Sequence, residues 1–82
     1  MAGNEAKEME KYVQSLLKDG YQVIPLTYAV ADEHLKYGRD KLAADVRRSI
    51  QKEEGRLVKI GYKQLGKFHI DGSPNYIYAR KK

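Results

Sequence analysis

The stretch Asp40–Glu54, DKLAADVRRSIQKEE, decides how the chain is to be read. Leu42, Ala43, Val46 and Ile50 recur at helical spacing, with Ser49 and Glu53 at the edges of the stripe they form. At 100° per residue, Lys41, Ala44, Arg48 and Gln51 fall opposite that stripe, with Arg47 and Lys52 on its flanks. The spacing predicts an amphipathic helix from Arg39 or Asp40 to Glu54, closed by Gly55. Its free face carries long cationic and amide side chains beside one small alanine.

Immediately upstream, Gly38 ends a shorter helix, expected from Tyr28 to about Lys36 and capped by Thr27. Val30, Ala31, His34 and Leu35 are its expected inward positions. Before it, Tyr21–Leu26 (YQVIPL) is short and β-branched, and Pro25 lacks a backbone donor, so a brief edge strand is expected. A first helix precedes that strand: Met9, Tyr12, Val13, Leu16 and Leu17 form one apolar stripe, and Gly20 suits its C-terminal cap. Downstream, Val58, Ile60 and Tyr62 alternate with Leu57, Lys59 and Gly61 and predict a strand. Asp71-Gly72-Ser73-Pro74-Asn75 is a strong turn signal, and Tyr76–Ala79 returns as a second strand. KQLGK (63–67) reads either as a loop or as an irregular continuation of the first of these strands.

Composition narrows the functional classes. The chain has 82 residues, no cysteine and a net charge of +5. It is read as one domain over residues 5–80, with residues 1–4 a flexible N-terminus and 81–82 a basic tail. Residues 1–38 hold four Lys/Arg against six Asp/Glu, while residues 39–82 hold twelve against five. That asymmetry favours a polyanionic partner. The lack of cysteine excludes disulfides and fits an intracellular setting, in cytoplasm, nucleoid or nucleus. No apolar run approaches the roughly 20 residues of a membrane span. A phosphate-cradling glycine loop, a nucleophile elbow and a supported Ser/His/Asp set are all missing, so no enzyme, cofactor or small-molecule substrate is expected. His34 reads as a satisfied core histidine. His69-Ile70-Asp71 offers two ligand types without a third, so no metal is assigned.

The order helix, short strand, helix, tight turn, helix, hairpin resembles the winged helix-turn-helix family of DNA-binding domains. The resemblance covers roughly residues 5–80 and rests on element order and spacing. It implies an α+β fold of three helices, a short strand and a C-terminal β-hairpin wing. The helix 40–54 would enter the major groove, and a wing centred on Lys67–Tyr76 would lie on the backbone. Lys41, Ala44, Arg48 and Gln51 are then the expected base contacts, since Arg suits guanine edges and Gln suits adenine. Tyr37, Arg39, Arg47, Lys52, Lys63 and Lys67 are the expected phosphate contacts. Double-stranded DNA is the implied partner, in transcriptional regulation or DNA architecture. A domain this small would gain specificity from a homodimer or a partner protein, with the first helix as the candidate for self-association. Two alternatives stand beside this reading. One is a winged-helix-like adaptor or inhibitor that binds protein. The other is RNA or single-strand binding, with Tyr76 and Tyr78 as stacking platforms.

Overall fold

The computed structural model describes residues 2–82. Its elements are α1 (Ala2–Lys18), β1 (Tyr21–Thr27), α2 (Ala29–Lys36), α3 (Asp40–Lys59), β2 (Lys63–Ile70) and β3 (Ser73–Lys81). The fold is α+β, with three helices and one antiparallel sheet of strand order β1-β3-β2. β1 is an edge strand, as Pro25 requires, and it pairs with β3 from Tyr21↔Lys81 to Thr27↔Asn75. α1 takes in Ala2–Asn4, while Met1 lies outside the described residues. At the other end β3 runs to Lys81, and the Lys82 N–H donates to the Gly20 carbonyl at 3.1 Å.

Alternation along β3 sorts the core onto two faces of the sheet. On one face, Ile77 and Ala79 pack with Leu16 of α1, joined by Met9, Tyr12, Val13, Tyr21, Val23 and Phe68. The α1 stripe thus packs on the sheet of its own chain, with Met9 and Tyr12 partly buried there. On the other face, Tyr78 packs with Leu57 and Tyr62, joined by Ile24, Leu26 and Tyr76. α1 and the C-terminal half of α3 therefore lie on opposite sides of a narrow sheet. Each helix covers one face.

α3 departs most from expectation. It does not stop at Gly55 but runs on to Lys59, so the strand expected over 57–62 is absent. The reason is tertiary. Leu57 continues an inward line through Ala43, Ile50 and Glu54, of which Ile50 and Glu54 are partly buried, and it is itself fully buried. Breaking the helix at Gly55 would expose it, at a cost of about 1.5–3 kcal/mol. An Arg56–Glu53 pair, at 2.7 and 2.8 Å, also bridges the glycine at helical spacing. The C-cap falls instead on Ile60, followed by Gly61, whose φ of 97° is open to glycine at little strain. The same shift leaves Val58 and Ile60 exposed. Their alternation with Leu57 and Lys59 was a coincidence of helical positions.

KQLGK (63–67) opens β2, with an irregularity between Gln64 and Gly66. There the Tyr12 ring crosses the strand: a Cβ built on Gly66 would sit 2.8 Å from Tyr12 Cε2. The Tyr12 hydroxyl donates to the Leu65 carbonyl at 2.9 Å, and Glu5 accepts from the His69 N–H at 2.6 Å. α1 thus satisfies backbone groups of β2, the second edge of the sheet, which limits its use as a template for another strand. The β2–β3 turn is tighter than the five-residue signal implied. Only Asp71 and Gly72 lie between the strands, both with positive φ (53° and 83°), as a primed two-residue hairpin turn demands. Ser73, Pro74 and Asn75 belong to β3.

Candidate nucleic-acid interface

α2 and α3 form a helical pair joined through Tyr37, Gly38 and Arg39, closed by an Arg39 N–H to His34 carbonyl bond of 2.8 Å. Thr27 accepts the Ala29 N–H at 3.1 Å, one residue ahead of the cap position, which Tyr28 occupies. Ala31 is buried against α3, whereas Val30 and Leu35 are about half exposed. His34 Nδ1 is buried without a partner.

The α3 residues expected to face bases, Lys41, Ala44, Arg48 and Gln51, are all solvent-exposed, as is Lys52. The inward line is rotated from the expected stripe: Leu42 is half exposed, Ala43 and Leu57 are buried, and Val46, Ile50 and Glu54 are partly buried. Arg48 meets the Asp45 carboxylate at 2.7 Å across one helical turn, an exposed pair worth a few tenths of a kcal/mol that another anion can replace. The adjacent carboxylates Glu53 and Glu54, which would repel phosphate if they faced it, are both engaged within the protein. Glu53 is held by Arg56, which keeps its carboxyl below the usual carboxylate range. Glu54 is turned in toward the sheet.

Glu54 is central to that buried side. Tyr28 donates to its Oε1 at 2.8 Å, and Tyr78 donates to its Oε2 at 2.7 Å. Burial, and then the hydrogen bond and negative charge of Glu54, push the Tyr28 hydroxyl up to about 12 and raise Tyr78 as well. Both phenols are therefore neutral donors across the physiological range. The aromatic layer continues outward: the Tyr28 and Tyr76 rings meet edge to face at 5.7 Å. Arg47 lies over Tyr28 at 5.5 Å and Lys67 over Tyr76 at 5.6 Å. These cation–π contacts hold two long side chains near the sheet and leave their charges at its rim. Arg47 also reaches Asp32 of α2 at 3.6 Å.

Other candidate residues are dispersed. Lys63 pairs with Ala79, whose side chain packs under α1, so Lys63 stands on the opposite face of the sheet from Lys67. Arg39 lies over the Tyr37 ring at 5.4 Å. Tyr37 also lines a groove of about 560 Å³ between α2 and the β2–β3 turn, with Asp32, Glu33 and Asp71 in its wall. Three carboxylates against one lysine, Lys36, leave that groove net acidic and a poor seat for phosphate. Arg80 donates to Gln22 at 2.9 Å and to the Ile60 carbonyl at 2.6 Å, and stacks on Tyr62, so it serves the core rather than a ligand. Tyr78 is buried, and Tyr76 lies between Tyr28 and Lys67. Neither ring is an open stacking platform.

Sequence reasoning missed Glu54 as a structural anchor and Tyr28 as its partner. A carboxylate one turn ahead of a buried leucine was the available signal. The two tyrosines lie 26 and 24 positions away, beyond any local pattern. No helix is long and apolar enough to cross a membrane among the described residues. No protein-family model, no curated protein and no solved structure matches the chain.

Proposed function

We propose that this protein binds double-stranded DNA as a winged helix-turn-helix domain, with α3 in the major groove and the β2–β3 hairpin against the backbone. The observation that carries the reading is the continuity of cations across α3 and the hairpin. Arg47 and Lys67 are joined through the Tyr28–Tyr76 pair on one face of the sheet. From Arg47, the helical projection leads round to Gln51, Ala44, Arg48 and Lys41, all exposed. Arg48 and Gln51 then read base edges, while Arg47, Lys52 and Lys67 neutralise phosphates. Lys63 falls outside this footprint, and Tyr37 faces an acidic groove.

Anisotropy titration of a labelled random duplex at two salt concentrations tests the reading. Binding that weakens steeply with salt is expected, and Lys52→Ala lowers the slope of log K against log salt by about 1. No binding even at low salt overturns it. A second reading, docking of another protein, draws support from the flank of α3 nearest β1. There Val46 and Ile50 line a shallow groove of about 320 Å³ with Leu26, and Leu42 beside it is half exposed. Failure to bind duplex, single strands and RNA alike favours that alternative.

A further inference from the structure

We infer that Glu54 is a positioning residue, clipping α3 to the sheet so that the α3 cations and Lys67 of the hairpin engage one duplex together; this rests on the DNA-binding reading above. α3 stands on the sheet by a small footprint. Leu57 is its fully buried side chain there, and Glu54 lies one turn before it. A carboxylate partly withdrawn from water at such a place is unfavourable unless its oxygens are bonded. Here both are, each by a different tyrosine.

The two donors come from separate parts of the fold. Tyr78 sits in the central strand, opposite Ile24 of β1 and Gln64 of β2. Tyr28 sits at the junction of β1 and α2, where its N–H donates to the Pro74 carbonyl at 3.0 Å. A carboxylate held at two points resists rolling of α3 about its axis, which an apolar contact alone would permit.

Tyr28 then links the clip to the hairpin. Its hydroxyl holds Glu54, its ring face carries Arg47, and its ring meets Tyr76. Tyr76 in turn carries Lys67. Glu54, Tyr28, Tyr76 and Lys67 are thus a continuous run of contacts from α3 to β2. Spatial continuity is not coupling, so the test measures coupling directly.

Random-duplex affinity is measured by anisotropy for the wild type, Lys67→Ala, Glu54→Gln and the double variant, at two salt concentrations. Glutamine keeps the shape of Glu54 but cannot accept from both phenols through carboxylate oxygens. In the wild-type background Lys67→Ala is expected to weaken binding several-fold and to lower the salt slope by about 1. In the Glu54→Gln background, already weakened, the same change is expected to alter affinity less than about twofold. An equal fold-loss in both backgrounds overturns the positioning role.

Amide hydrogen exchange without DNA reads the same link. Glu54→Gln is expected to speed exchange by about tenfold in both α3 and Phe68–Ile70, the scale of one lost hydrogen bond to a charged group. Faster exchange confined to α3 overturns the link. A triple variant, Glu54→Leu with Tyr28→Phe and Tyr78→Phe, preserves an apolar fit without the clip. Retention of the Lys67 coupling in that protein also overturns the inference. Absence of wild-type duplex binding would refute the DNA reading alone, leaving the clip to be judged by exchange.

Discussion

Gly66→Ala probes the packing of α1 on the sheet. The added methyl would meet Tyr12 Cε2 at 2.8 Å and Phe68 Cε2 at 3.3 Å, inside ordinary carbon contact. The Tyr12 ring has to move by a few tenths of an ångström at least, and its hydroxyl is tied to the Leu65 carbonyl. Overpacking costs about 1–3 kcal/mol, and a partly solvated hydrogen bond adds about 0.5 kcal/mol, so a loss of about 2 kcal/mol is expected. Against the roughly 4–12 kcal/mol of total stability typical for 82 residues, that is substantial, and it corresponds to a fall in Tm of about 8–16 °C. Urea denaturation followed by circular dichroism measures it, with m unchanged if only the folded state is affected.

The control exploits a change of sign. Gly66 is not among the glycines with positive φ, so alanine is conformationally permitted there. In a Tyr12→Ala background Gly66→Ala should become neutral or stabilising by up to about 1 kcal/mol. An unchanged urea midpoint in the wild-type background would refute the argument, as would an equal cost with and without the Tyr12 ring.

Other outcomes follow from the same contacts. Arg48→Ala should weaken duplex binding about tenfold and relax base preference, read by anisotropy on a small duplex panel; unchanged affinity removes Arg48 from the base-reading set. Leu57→Ala should cost about 2–5 kcal/mol, since its side chain is fully buried beside Tyr62 and Tyr78, and urea unfolding will show it. On the alkaline side, Tyr28 and Tyr78 are held neutral above the ordinary phenol value. Their stabilising contribution is complete below pH 10 and is lost as pH rises through about 12 for Tyr28. Ultraviolet titration of phenolate should therefore show a late-ionising class that Glu54→Gln shifts to lower pH. Glu5→Ala should free the His69 N–H at the β2 edge and raise the tendency to self-associate, seen as growth in light scattering on storage.

Much of the architecture was legible because its signals are local. The α1 stripe, the Tyr21–Leu26 strand, the break at Gly38 and the Asp71-Gly72 turn each express themselves within a few residues. The free face of α3 was also legible, since a helix of any length projects Lys41, Ala44, Arg48 and Gln51 together. Where α3 ends was not. Gly55 and the 57–62 alternation are genuine local signals for a break and a strand. They were outweighed by burial of Leu57 on a surface built from residues far away in the chain.

The sequence by itself determined α1, β1, α2, the start of α3 and the Asp71-Gly72 turn, the separation of charge between the halves, and the cations that α3 presents to solvent. Tertiary structure alone decided the strand order β1-β3-β2, the placement of α1 and α3 on opposite faces, and the parting of Lys63 from Lys67. It also turned Glu54 from an apparent electrostatic liability into the group that joins α3 to Tyr28 and Tyr78. The physical reason is range. Helix periodicity and turn chemistry act over a few residues, whereas burial and hydrogen bonding of a carboxylate depend on partners that only the folded chain brings within 3 Å.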